Sequence, residues 1–155
     1  RQSEELIKMR YQPIFDIFDI NFVIQILENL AEYPEVKFMA PLSNFWSQNP
    51  EWVTPETIRQ AFNSCQLWEC VKSGEFYQTV FSERHPDPAP RGEPHCTWSQ
   101  IVIYWTQNGQ PIAMVHQYRR PDGTIGGSGK PDPKRILVND KLLAVRARAG
   151  KHSHS

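Results

Sequence analysis

His116, Tyr118 and Arg120 alternate along one segment that reads as a β-strand. Alternate residues of a strand share a face, so these three side chains point the same way. An imidazole moves a proton near neutral pH, and a guanidinium beside it stabilises developing phosphate charge. The trio is therefore a candidate site for metal-independent acid–base chemistry of the kind a nuclease performs. The stretch that follows is Arg119 to Arg135, with four glycines, three prolines and five cations. Glycine frees the backbone and proline stiffens it, so this composition specifies a shaped loop. Its amides and its cations Arg119, Arg120, Lys130, Lys134 and Arg135 form a candidate anion-binding surface. The loop is not a nucleotide loop, because Lys130 runs into Pro131 instead of opening a helix, and no βαβ unit surrounds it.

The element that must position these groups is a hairpin. Asn108-Gly109 lies between two alternating apolar runs, Trp98–Gln107 and Gln110–Arg120, and Asn-Gly is a strong hairpin signal. A two-residue loop there would set Gln107 against Gln110, Trp105 against Ile112, Ile103 against Met114, Ile101 against His116 and Ser99 against Tyr118. One face of the pair then grades from apolar to polar, and His116, Tyr118, Ser99 and Arg120 gather at the end where the Gly/Pro loop leaves.

Further elements follow from local chemistry. Thr54-Pro55-Glu56 is a helix start, with an N-cap, a proline in the first turn and an acid at the positive end of the dipole. Ile58, Ala61, Phe62 and Cys65 would line its buried side. Residues 20–32 repeat apolar positions on a helical period, and residues 3–10 read as a short helix or a frayed end. Leu67–Lys72 and Phe76–Phe81 flank Ser73-Gly74-Glu75 and read as a hairpin, with a helix as the competing assignment. Arg135–Val138 and Lys141–Arg146 flank Asn139-Asp140 and read as another. Helices first and strands afterwards predicts an α+β domain spanning residues 1–148, helical over 1–65 and sheet over 66–148. N-terminal helices would pack on an antiparallel, mostly meander sheet of about six strands, with a disordered tail at 149–155.

The 155 residues carry 17 Lys+Arg and 17 Asp+Glu, so the net charge is zero. The balance hides a polarity. Residues 1–115 hold 8 Lys+Arg against 14 Asp+Glu, net −6, whereas residues 116–155 hold 9 against 3, net +6. Such asymmetry marks a surface for nucleic acid or an acidic partner unless the halves fold together and neutralise each other. Cys65, Cys70, His85, His95 and Cys96 match no zinc-ligand spacing, so no metal or cofactor is expected. An odd cysteine count without a visible secretory signal, and no apolar run of membrane length, predict a cytoplasmic chain with buried free thiols. The leading expectation is an interaction module whose basic Gly/Pro loop binds nucleic acid or an acidic protein surface. The alternatives are a nuclease using His116, and a structural subunit of a larger assembly.

Overall fold

The computed structural model describes Leu42, Phe45, Trp46 and residues 48–146. The helices expected within residues 1–41 and the tail at 149–155 lie outside the described residues. The rest is α+β: two helices on a six-stranded sheet. In chain order the elements are β1 (Glu51–Trp52), α1 (Pro55–Ser64), α2 (Leu67–Ser73), β2 (Tyr77–Arg84), β3 (Trp98–Trp105), β4 (Pro111–Arg119), β5 (Asp132–Val138) and β6 (Lys141–Ala144). The sheet order is β1-β6-β5-β4-β3-β2. β2 to β6 form an antiparallel meander, but β1 joins β6 in parallel. The sheet is thus mixed, which corrects the antiparallel expectation. Two residues of strand between Pro50 and Thr54 are too short for any periodicity to announce.

α1 starts as its sequence requires. The Thr54 side chain accepts a hydrogen bond from the Thr57 amide at 3.2 Å, and Pro55 opens the first turn. Ile58 and Phe62, one turn apart, are its buried residues. Each such burial stabilises by roughly 1.5–3 kcal/mol. Cys65 does not join them. The helix ends at Ser64, Cys65 caps it, and Gln66 turns left-handed with φ +52°. Cys65 and Cys96 are exposed and Cys70 is partly so, against the expectation of buried thiols.

The hairpin expected over residues 67–81 is a correction. Its first arm is the helix α2, which ends where Gly74 adopts φ +83°. Leu67 and Val71 are one turn apart and pack with Trp68 against the sheet. Two turns of chain this short read equally as strand until tertiary contacts decide.

The central hairpin holds the expected register from Trp98↔Arg119 through Tyr104↔Ala113. The loop differs. Gly109 donates to the Thr106 carbonyl at 2.9 Å with φ +81°, and Thr106 donates to Gln110 at 2.8 Å. This is a three-residue loop with a glycine bulge. It moves Trp105 opposite Pro111 instead of Ile112. In the β5–β6 turn both Asn139 (φ +49°) and Asp140 (φ +61°) are left-handed, as a two-residue hairpin loop requires.

Both sheet faces are covered. The helix face buries Val102, Tyr104, Ala113, Val115 and Ile136 beneath Ile58, Phe62 and Leu67. The other face, here the Trp46 face, buries Ile101, Ile103, Trp105, Met114 and Leu142 against Leu42, Phe45 and Trp46. Tyr104 is 0% exposed with its ring 6.2 Å from Phe62, yet its hydroxyl has no hydrogen-bond partner. An unpaired buried hydroxyl costs its desolvation. Tyr104→Phe is therefore expected to raise stability by about 1 kcal/mol, read as an upward shift of the denaturant midpoint at constant slope.

Candidate functional site

The end of the sheet away from the Asn108-Gly109 loop collects the groups singled out above. There β1, β4 and β6 finish, β3 and β5 begin, and β2 runs out at Arg84. Ile101↔His116 and Ser99↔Tyr118 are paired, so the polar gradient expected from the hairpin is present on the Trp46 face. The His116 Nε2 lies 2.8 Å from the Ser99 hydroxyl, and the Tyr118 ring meets the imidazole edge-on at 4.8 Å. Burial pushes the His116 imidazole down to about 4. Lys134 adds to the effect, Asp132 opposes it, and Arg84 adds slightly. His116 is thus a neutral imidazole that can give a hydrogen bond to Ser99 or take one from it.

Arg120 does not join this group. Its Nε donates to Glu93 at 2.7 Å and its Nη2 to the other carboxylate oxygen at 3.3 Å. The same carboxylate accepts the Gly127 amide at 2.7 Å. Glu93 belongs to the proline-rich stretch before β3, and its side chain is only 5% exposed. One acid thus ties two loops together. The hydrogen bonds from Arg120 and Gly127 hold its carboxyl below the usual carboxylate range. A side chain at Gly126 would place its Cβ 2.6 Å from Glu93 Oε1. That oxygen is pinned from two sides and cannot swing away. Gly126→Ala is accordingly expected to lower the melting temperature by about 3–10 °C, measured by thermal unfolding.

The Gly/Pro loop is hydrogen-bonded along much of its length. Arg120 N donates to Thr124 O, Gly123 N to Arg120 O, and Gly126 N to Tyr118 O, at 2.9, 2.9 and 2.7 Å. Asp122 accepts the amide and hydroxyl of Thr124. Of the five candidate anion ligands, Arg119 and Lys130 are exposed. Lys134 donates to Asp132 at 2.7 Å, and Asp132 also accepts from Arg59 of α1 at 3.0 Å. Arg135 is 1% exposed and lies under the Trp46 face, its Nη1 donating to the carbonyls of Phe45 and Trp46, both at 3.1 Å. The guanidinium sits over both aromatic rings, and burial lowers its pKa to about 10.

The structure adds residues that no motif announced. Glu83, Gln100 and Gln117 form a side-chain ladder across β2, β3 and β4 on the helix face. His85 packs on Trp98. At the far side of the same sheet end, Trp52 is 39% exposed, and the Arg146 guanidinium lies 4.6 Å over its ring. The signal for Trp52 was its placement between two prolines beside a helix start. Among the described residues, no group of three or more His, Cys, Asp or Glu could hold a metal ion. No helix among them is long and apolar enough to cross a membrane. Comparison with protein-family models, curated proteins and solved structures gave no match to this chain.

Proposed function

We propose that this chain binds an anionic partner, a nucleic acid or an acidic protein surface, at the sheet end that carries the Gly/Pro loop. The observation that carries the reading is the Glu93 clasp on Arg120 and Gly127. It fixes the loop before any partner arrives, so ordering the loop adds little to the cost of binding. It also tucks the loop's neighbouring acid inward while Arg119 and Lys130 remain outside. The test is binding of the intact chain to heparin and to oligonucleotides across a salt series. Affinity is expected to fall steeply with salt, as counterion release requires. Arg119→Glu with Lys130→Glu is expected to abolish it. Binding that ignores salt, or survives both reversals, overturns the reading.

A second reading rests on the 2.8 Å contact between Ser99 and His116. A neutral imidazole is the form needed for a general base, and Tyr118 stands beside it. In this reading the protein is a metal-independent nuclease, and Arg120 would have to leave Glu93 to reach a phosphate. RNA cleavage that persists in a folded His116→Ala variant removes it.

A further inference from the structure

The anionic-partner reading leaves Trp52 unexplained. The neighbouring Val53 packs into the helix-face core, but Trp52 turns to solvent. An exposed indole with a guanidinium over its ring needs a reason, because neither group contributes its full burial to folding. Beside them lies an open groove of about 450 Å³, lined by Trp52, Thr54, Pro55, Val145 and Arg146 among others. That volume lies within the range of sites that take a ring-sized group.

Position sharpens the point. Trp52 pairs with Ala144, which pairs with Arg135, whose partner is Met114. This register puts Trp52 at the same sheet end as His116 and Tyr118, and the Arg146 guanidinium lies there with it, over the Trp52 ring. From β1 to β4 is three strand spacings, roughly 14 Å. Along that line, the acids Asp132, Glu93 and Asp122 each already accept a hydrogen bond from a cation, an amide or a hydroxyl. Arg91, Arg119, Lys130 and Arg146 remain exposed, against Glu56 and Asp87. At the opposite end, the described cations Lys72 and Lys141 pair with Glu69 and Glu51.

We infer that the anionic partner is a single-stranded nucleic acid, one base of which enters the groove and stacks on Trp52, with its phosphates running past Arg146 towards Arg119 and Lys130. This rests on the anionic-partner reading and makes it specific. An acidic protein surface would use the cations but has no use for a flat ring with an adjoining slot. A base uses both, since stacking on an aromatic ring tolerates any sequence and arginine adds its own attraction.

The experiment measures binding of the full chain to an oligothymidylate of about twelve nucleotides and to heparin, which has the charge but no bases. Trp52→Ala is expected to weaken oligothymidylate binding by about 5- to 150-fold, the equivalent of one base stack at 1–3 kcal/mol. Heparin binding is expected to stay unchanged. Trp52→Phe, which keeps a ring, is expected to retain most of the oligonucleotide affinity. If Trp52→Ala does not fold, the oligonucleotide-dependent quenching of tryptophan fluorescence in the wild type carries the test, because the share due to Trp52 must be lost in Trp52→Phe. Unchanged oligothymidylate affinity in folded Trp52→Ala, or quenching kept in full in Trp52→Phe, overturns the stacking inference and leaves the anionic reading standing. Binding to heparin but not to oligothymidylate does the same and points to an acidic protein surface. Failure to bind either polyanion overturns both.

Discussion

Lowering the pH from 6.5 to 4 is expected to remove on the order of 3 kcal/mol of folding stability through His116 alone. In the folded chain, burial holds the imidazole at about 4, whereas the unfolded chain titrates near 6.5. Between those values the unfolded state binds more protons, so stability rises with pH across the window. It is fully present above 6.5 and lost as pH falls through about 4. The carboxylates act lower down. Glu93, Asp122 and Asp132 are held below their ordinary values of 4.5, 3.8 and 3.8, so their contributions survive until the pH drops beneath those values. Denaturant midpoints between pH 6.5 and 4.5 therefore report on His116 with little interference. His116→Gln is expected to flatten the slope there. An unchanged slope in that variant would show that the imidazole is not buried against Ser99 and Tyr118.

Arg135→Glu is expected to cost at least about 4 kcal/mol, because breaking a buried charge arrangement strands the remaining groups. The new carboxylate would face the carbonyls of Phe45 and Trp46 and the negative faces of two aromatic rings. Arg135→Met is the informative partner. It keeps the apolar stem and removes the desolvation of the charge, losing the bonds to two carbonyls and the cation's contact with two rings. Its expected cost is about half as large or less. Equal losses in chemical denaturation would mean that the charge itself is not what the pocket holds.

Arg135 also shows where sequence reasoning stops. It follows a run of glycines, prolines and cations, so it reads as one more surface charge. Its inward direction depends on pairing with Met114, and that register cannot be read across a long loop followed by a register shift between Met114 and Val115. Glu93 is the same case. A single acid in a proline-rich stretch gives no sign that it will meet Arg120 and Gly127, because the contact exists only once two loops are brought together. Where chemistry was local, the sequence was legible. Thr54-Pro55, Asn139-Asp140 and the alternation of β3 and β4 each specified their geometry. The register calculated from Asn108-Gly109 placed Ser99, His116 and Tyr118 together, while Arg120 was drawn off to Glu93. The loop beside them was legible as shaped and basic, though three of its five cations are spent inside the fold.

The parallel pairing of β1 with β6 has a consequence for how this chain is made. Glu51 meets Leu143 and Trp52 meets Ala144, so β1 waits for β6. During synthesis the meander from β2 to β5 can assemble on the ribosome in order, each strand finding the one before it. Among the described residues, β1 has no strand to pair with until residue 144 emerges. Until then the Trp52 indole lacks the arginine that covers it, and the groove beside it does not exist. Whatever binds there reads a chain already synthesised through Arg146, with β1 seated on β6.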